Sequence, residues 1–128
     1  METLNEQQLQ AVQFDPTAAL QVVAGPGTGK TKVLVARVAN LIINYHIQPQ
    51  NIIVTTFTNK AATEMKQRLA LLLSNTQVNI NDLIIGTFHS VCLRILSKHG
   101  HIISLDPGWK IIDEKETDKI INDIIITI

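Results

Sequence analysis

The sequence is poor in aromatic residues, in cysteine and in net charge. Aromatic side chains make up only 4% of the 128 residues, so a hydrophobic core has to be built from aliphatic residues. The single cysteine, Cys92, excludes an internal disulfide bond, and its position in an apolar helical stretch predicts a buried thiol. Eleven basic residues balance eleven acidic ones, so the overall charge does not indicate a nucleic-acid partner.

Long hydrophobic runs are missing as well. The N-terminus is polar and the apolar segments are interrupted, which matches neither a signal peptide nor a membrane span. Hydrophobic residues make up 45% of the chain and charged residues 17%, a composition typical of a packed domain rather than of a disordered chain. We therefore expect a soluble intracellular protein with no membrane partner.

Short aliphatic segments alternate with helical patterns, which predicts an α/β fold with a parallel sheet flanked by helices. The predicted strands are 20–23, 52–56 and 83–86, and the predicted helices are 6–14, 30–45, 60–73, 89–99 and one that begins near 114. Residues 109–112 are predicted to be extended. No polar cap or glycine closes the last helical pattern, so we expect this chain to be the N-terminal piece of a longer protein.

The most specific pattern joins the first predicted strand to the second predicted helix, and it reads Ala24-Gly25-Pro26-Gly27-Thr28-Gly29-Lys30-Thr31. Gly25, Gly27 and Gly29 allow positive φ and a close backbone approach, so successive amides can point at phosphate oxygens. Lys30 is predicted to lie over the β- and γ-phosphates, and the Thr31 hydroxyl to ligate Mg²⁺. Ala24 stands where the strict pattern begins with glycine. This first position contributes less to the chemistry of the motif than the later ones do. The pattern predicts a nucleoside triphosphate site, because a merely flexible turn does not require Lys-Thr.

Two later strand ends resemble each other: Thr56-Phe57-Thr58-Asn59-Lys60 and Thr87-Phe88-His89-Ser90. In open parallel sheets ligands bind beyond the carboxyl ends of the strands, so both segments are expected on the same edge as the glycine-rich loop. Exposed rings suit stacking on nucleic acid bases, with small polar groups beside phosphate and sugar. The pattern is equally consistent with Phe57 and Phe88 filling the core while the polar residues cap helices.

These motifs together resemble superfamily 1 DNA helicases of the UvrD, Rep and PcrA type. The resemblance rests on Leu4-Asn5-Glu6-Gln7-Gln8, the glycine-rich loop, Thr56 to Ala62 and Gly86 to Ser90, and it covers nearly the whole chain. The loop region up to Val38 and the segment 109–114 look most like the fungal nuclear branch, whose members dismantle recombination filaments. The resemblance implies a RecA-like P-loop NTPase fold and an incomplete first motor domain at 1–112. It also implies that residues 113–128 start a helical subdomain.

The resemblance also assigns roles to single residues. Gln8 matches the glutamine that reads the adenine edge, although Asn5 and Gln8 also fit a helix capping box. The implied ATP-binding set is Gln8, Ala24, Gly25, Pro26, Gly27, Thr28, Gly29, Lys30, Thr31 and Lys32. Lys30 and Thr31 are the implied catalytic residues. The implied DNA-binding set is Phe57, Thr58, Asn59, Lys60, Thr87, Phe88 and His89.

One acidic pair looks like a metal-binding motif, but we interpret it differently. Asp113-Glu114 follows a short aliphatic segment that Lys110 interrupts, and Asp113 with Glu116 fits a capping box for the closing helix. By resemblance, the acidic motif that holds Mg²⁺, the second motor domain and its arginine residues lie beyond residue 128. We therefore expect the 128-residue chain alone to be inactive.

The resemblance implies an ATP-dependent 3′ to 5′ helicase that uses ATP and Mg²⁺ and translocates on single-stranded DNA. It further implies a nuclear role in DNA repair and recombination control, with recombination or replication proteins as partners. Two alternatives remain at this stage. One is a nucleotide- or DNA-binding module that does not hydrolyse ATP, and the other is a different P-loop enzyme such as a nucleotide kinase.

Overall fold

The computed structural model describes residues 3–127 as an α/β chain with five α-helices and a small parallel sheet. The helices are α1 (Glu6–Gln13), α2 (Lys30–Ile43), α3 (Asn59–Leu72), α4 (Phe88–His99) and α5 (Glu114–Thr127), and the strands are β1 (Ile53–Thr56) and β2 (Ile84–Thr87). Met1, Glu2 and Ile128, at the outer ends of the two predicted domains, lie outside the described residues. Contacts divide the chain into two compact units, of which one ends at Leu93 and the other begins at Arg94. The domain boundary after residue 112 stays a prediction.

The two strands form a βαβ unit. β1 pairs with β2 in parallel, with Ile53 opposite Ile84 and Thr56 opposite Thr87. Parallel strands require a crossover connection, and here α3 provides it and packs on both strands. Because the last residues of the two strands are paired, the segments that follow them begin side by side at one edge of the sheet.

The core is aliphatic, as the low aromatic content predicts. It lies between α2, α3 and the sheet, and Leu69 and Leu83 are its most deeply buried large side chains. The other buried members are Val35, Val38, Ala39, Ile42, Ile52, Val54, Ala62, Met65, Leu73 and Ile85. Burial of these side chains fixes the beginning of α2 and the carboxyl ends of β1 and β2 within one body.

The predicted strand at 20–23 is wrong. β1 and β2 pair with each other, and within residues 3–127 the segment 20–23 joins no ladder. Val23 is 89% exposed and Leu20 and Val22 are also exposed, so this apolar run does not form part of the buried core. A short aliphatic run becomes a strand only when a neighbouring strand supplies hydrogen bonds, and the sequence pattern does not report that neighbour. Residues 109–112 likewise lie in no strand.

The predicted burial of Cys92 is also wrong, since its side chain is exposed on α4. Val91 is the buried residue of that helix, and the apolar side chains of Leu93 and Ile95 are exposed. An apolar stripe shows which side of a helix can pack, but it does not show that another element covers that side. No helix within residues 3–127 has the length and apolarity required to cross a bilayer.

The turn that follows α1 is closed by Asp15. Its carboxylate accepts hydrogen bonds from the hydroxyl and the amide of Thr17, at 2.7 and 2.8 Å. The bond from the hydroxyl, and then the bond from the amide, favour the charged form and hold the pKa of Asp15 below its ordinary value. This turn leads the chain from the end of α1 toward the glycine-rich loop.

Candidate functional site

The glycine-rich loop has the predicted positive φ at two of its three glycines, whereas Gly25 does not adopt it. Gly27 has φ 72° and Gly29 has φ 78°, values that residues with a side chain rarely adopt. A Cβ at Gly27 would meet no atom within 4 Å, so at this position the backbone angle alone requires glycine. Gly29 is the N-cap residue of α2, and the loop therefore delivers its backbone directly onto the start of that helix.

The start of α2 carries the wrong charges for an isolated helix. Gly29 provides no side-chain cap and the first turn contains no acidic residue, but it does contain Lys30 and Lys32. By contrast, α1 has an Asn5 cap and α5 has Glu114 in its first turn. Cations are unfavourable at the positive end of a helix dipole, whereas an anion bound there is stabilised. This arrangement would favour an anionic ligand at the loop.

The Lys30 ammonium lies against the loop. Its Nζ donates to the carbonyl oxygens of Ala24 at 3.1 Å and Gly25 at 2.7 Å. The Thr28 hydroxyl also donates to Gly25, at 2.7 Å, and this bond closes the turn from the inside. Thr31 follows Lys30 on α2 with an exposed side chain. The ammonium that the sequence assigned to phosphate therefore lies at the loop, and Thr31, assigned to the metal, is the next residue of α2.

Gln8 makes the cap and reaches the loop at the same time. Its backbone amide donates to Asn5 Oδ1 at 2.9 Å and its Oε1 accepts from the Asn5 amide at 3.0 Å, so the predicted capping box is confirmed. Its Nε2 donates to the Thr28 carbonyl at 3.1 Å. A Cβ at Gly29 would lie 3.0 Å from this Nε2. The cap thus fixes Gln8 beside the loop.

Replacing Gly29 by alanine is expected to destabilise the protein by roughly 1–2 kcal/mol, because alanine is strained at positive φ. The new methyl group would also press on the Gln8 amide, which is within contact distance. Denaturant unfolding of the full-length protein measures the loss. Gly108→Ala is the matched control, since a Cβ there meets no atom within 4 Å and needs no positive φ. Equal stability of the two variants would contradict the conformational argument.

A cleft of about 830 Å³ opens beside the loop. Residues of α1, of the segment 20–25 and of α2 line it, and they include Gln8, Lys30 and Arg37. Arg37 is a residue that the sequence reasoning missed. The available signal was a lone arginine within the apolar pattern of α2, seven residues after Lys30 and therefore on the same side of the helix.

Lys32 lies differently from the loop residues. Its Nζ donates to the Thr3 carbonyl at 2.9 Å, which joins the N-terminal segment to α2. The backbone of Lys32 belongs to the first turn of α2, but this bond directs its ammonium toward the N-terminal segment rather than toward Gly25 and Gly29. The structure therefore gives Lys32 a structural contact, and its predicted contact with ATP stays a prediction.

Phe57 and Phe88 lie together on the surface. Phe57 is 94% exposed and Phe88 is 52% exposed, so the alternative that these rings fill the core is wrong. Their ring centroids are 6.1 Å apart with a 56° angle between the planes. The paired strand ends account for this proximity, since each ring directly follows one of the paired residues Thr56 and Thr87.

The polar part of that alternative is correct, because threonines do cap the following helices. Thr58 is the N-cap of α3, where its Oγ1 accepts from the Ala61 amide at 3.1 Å. The Thr87 Oγ1 accepts from the Ser90 amide at 3.3 Å. Capping leaves exposed polar residues at both helix starts, namely Asn59 and Lys60 on α3 and His89 on α4.

A buried hydroxyl joins the two strand ends. Thr56 is the buried polar residue of the sheet, and its Oγ1 donates to the Thr58 carbonyl at 3.0 Å. The Gly86 carbonyl on β2 lies 3.5 Å from the same hydroxyl. Thr56 therefore joins the segment after β1 to β2, next to the two aromatic residues.

Asp113 acts as a helix cap, as predicted. Its Oδ1 accepts from the Glu116 amide at 2.8 Å, and a Glu116 carboxylate oxygen accepts from the Asp113 amide at 3.4 Å. The same carboxylate pairs with Lys110 at 2.6 Å. Among residues 3–127, no group of three or more histidine, cysteine or acidic residues is arranged to hold a metal ion.

Comparison with known proteins agrees with this arrangement of motifs. Residues 4–127 match the model of the UvrD/REP helicase N-terminal domain. Over 122 residues the chain is 62% identical to ATP-dependent DNA helicase SRS2 of Saccharomyces cerevisiae, covering 95% of this chain and 10% of that protein. Over 122 residues it is 44% identical to ATP-dependent DNA helicase srs2 of Schizosaccharomyces pombe, covering 95% of this chain and 13% of that protein.

A bacterial relative is similar over the same region. Over 125 residues the chain is 39% identical to ATP-dependent DNA helicase PcrA of Leuconostoc citreum, covering 94% of this chain and 16% of that protein. The chain thus spans between about a tenth and a sixth of the length of these relatives.

Proposed function

This chain belongs to the UvrD/REP helicase N-terminal domain family, and we propose that it forms the ATP-binding part of a DNA helicase. The observation that carries the proposal is the start of α2, where two lysines and an uncapped helix end follow a loop with two positive-φ glycines. We assign the fold to the RecA-like P-loop class, with residues 1–112 as part of the first motor domain and 113–128 as the start of a helical subdomain. The βαβ unit and the loop before α2 support this assignment.

The loop residues fit a nucleoside triphosphate with Mg²⁺. The backbone amides from Gly25 to Thr31 are proposed to hold the phosphates, and Lys30 to offset charge on the β- and γ-phosphates. Bound Mg²⁺ supplies further charge neutralisation, and the Thr31 hydroxyl is the proposed ligand from this chain. Pro26 and Thr28 shape the turn, Lys32 adds positive charge at the helix start, and Gln8 is proposed to read the adenine edge.

The edge that carries the two aromatic rings is proposed to hold single-stranded DNA. Phe57 and Phe88 are exposed enough to stack on bases, and stacking accepts any base because every base has a π-face. Thr58, Asn59 and Lys60 at the start of α3, with Thr87 and His89 at the start of α4, are proposed to contact phosphate and sugar. Helix starts favour phosphate groups for the same electrostatic reason as the glycine-rich loop.

The proposed activity is ATP-driven 3′ to 5′ translocation along single-stranded DNA, with strand separation by the whole protein. The proposed setting is DNA repair and recombination control in the nucleus, with recombination or replication proteins as partners. The similarity to two fungal helicases supports this setting. Binding at the loop and at the aromatic edge belongs to one compact unit, so nucleotide and DNA contacts share a common core.

Single-stranded DNA is expected to stimulate ATP hydrolysis by the full-length protein, because a translocase couples the two ligands. Steady-state hydrolysis with and without oligonucleotide measures this stimulation. Nucleotide binding without turnover would support the binding module instead. Phosphate transfer to an acceptor nucleotide, unchanged by DNA, would indicate a kinase. Either result would exclude the helicase.

A further inference from the structure

α1 is too short to hold its own position. It has eight residues, and isolated helices of that length are marginal in water. The last carbonyls of any helix lack partners within the helix, and a cation near that end is stabilising. The last turn of α1 contains no basic residue, so both the donors and the charge have to come from elsewhere.

α2 and the residues after it provide those donors. Arg37 Nη1 donates to the carbonyls of Ala11 at 3.0 Å, Val12 at 3.3 Å and Phe14 at 3.0 Å. Asn40 Nδ2 donates to Val12 at 3.1 Å, and the Tyr45 hydroxyl to Gln13 at 3.3 Å. The guanidinium of Arg37 is the charged member of this set, and it is half-buried between the two helices. It therefore acts as a C-terminal cap that one helix supplies to another.

The opposite end of α1 meets the glycine-rich loop. Gln8 lies in the first turn of α1 and donates to Thr28, while Arg37 lies two turns from the start of α2. The contacts run in the same order along both helices, from the loop to Arg37. As a result, the bonds that Arg37 makes at the far end of α1 fix where its near end places the Gln8 amide.

We propose that Arg37 is a positioning residue for base recognition: by capping α1 it holds Gln8 in register with the glycine-rich loop. This rests on the proposed function, in which Gln8 reads adenine. Hydrogen bonds weaken steeply with distance and angle, so a small shift of α1 costs the adenine contact. The proposed phosphate contacts are made by the loop amides and the first turn of α2, so a shift of α1 is expected to change them less than it changes the adenine contact.

The test compares ATP with GTP in the full-length protein. Arg37→Met keeps the length of the side chain but removes its donors and charge, and it is expected to raise the KM and Kd for ATP about tenfold. Binding of GTP and the kcat at saturating ATP are expected to change little. Arg37→Lys restores the charge and is expected to restore much of the preference for ATP. Asn40→Ala removes one donor on Val12, together with the acceptor of the exposed Asn44 amide, and is expected to give a smaller loss of the same kind.

Two comparisons separate positioning from general support. Arg68→Met removes an arginine from the surface of α3, where it pairs with exposed Glu64, and it is expected to leave the ATP to GTP ratio unchanged. Gln8→Ala is expected to abolish the preference for ATP, and adding Arg37→Met to it is expected to cause no further loss. If Arg37→Met does not fold, the ratio of ATP to GTP affinity is measured on Asn40→Ala and Arg37→Lys instead.

The outcomes that overturn the proposal are distinct from those that overturn the function of Gln8. One such outcome is that the Arg37 and Asn40 variants bind ATP and GTP equally more weakly, while Gln8→Ala loses the preference for ATP. Arg37 would then be a residue that only stabilises the fold. Further loss of selectivity in the double variant would also contradict a role through Gln8. If Gln8→Ala alone leaves the ratio of ATP to GTP binding unchanged and ATP hydrolysis remains, Gln8 does not read adenine. The proposed role of Arg37 is then excluded as well.

Discussion

Replacing Lys30 by alanine in the full-length protein is expected to reduce ATP hydrolysis by roughly 10²–10³-fold, the typical loss when one charge-stabilising donor is removed. The ammonium lies at the loop, bonded to the carbonyls of Ala24 and Gly25, where it can respond to charge that develops on the phosphates. Binding of the nucleotide is expected to weaken much less. The loop amides and the start of α2 remain, and they stabilise the bound ground state as well as the transition state.

Steady-state hydrolysis and equilibrium binding of ATP, measured on the same preparation, check this expectation. Lys66→Ala is the matched control, because Lys66 is an exposed lysine on α3 outside the site. Near-normal turnover in Lys30→Ala would remove the phosphate assignment of the whole loop. Equal losses in binding and turnover would mean that Lys30 contributes to uniform binding only.

Replacing Phe57 by alanine is expected to weaken binding of single-stranded DNA by roughly 1–3 kcal/mol, the contribution of one stacked base. The loss is expected to be almost independent of salt, because stacking releases no counterions. Lys60→Ala removes a phosphate contact in the proposed complex and is expected to lower the log–log salt slope by about 0.7. Phe57 is 94% exposed and Lys60 is exposed as well, so neither Phe57→Ala nor Lys60→Ala is expected to change the melting temperature.

Salt titrations of oligonucleotide binding and thermal melts of the full-length protein measure both effects. Leu71→Ala provides the control, since Leu71 is another large apolar side chain exposed on the same unit, at 76%. A Phe57→Ala protein with a lower melting temperature and unchanged affinity would show that the ring supports the fold. The DNA path would then have to lie elsewhere.

Features that depend on neighbours in sequence were predicted well. The capping boxes at Asn5–Gln8 and Asp113–Glu116, and the positive φ at Gly27 and Gly29, each follow from a few adjacent residues. A capping residue bonds an amide three positions away, and a glycine-rich turn is determined by its own backbone. The pattern was sufficient in these cases because the physical partners are part of the pattern.

Features that depend on distant partners were not predicted. The segment 20–23 has the composition of a strand but no ladder, and Cys92 lies in an apolar stripe that is exposed. Whether Phe57 was buried also could not be decided, since an aromatic residue at a strand end is compatible with either environment. The role of Arg37 depends on three carbonyls at sequence separations of 23 to 26, which no local pattern reports.

The lysines at the start of α2 also make the stability of the folded protein depend on the concentration of the proposed ligand. Each positive charge there raises the free energy of the folded protein without nucleotide, because a cation is unfavourable near the positive end of the helix dipole. A bound polyphosphate reverses that repulsion and binds the folded form alone, so the folded fraction rises with nucleotide concentration. Aspartate or glutamate at the same positions would make a more stable helix start, but it would repel the proposed polyphosphate ligand. Susceptibility to proteases is accordingly expected to fall as the nucleotide concentration rises.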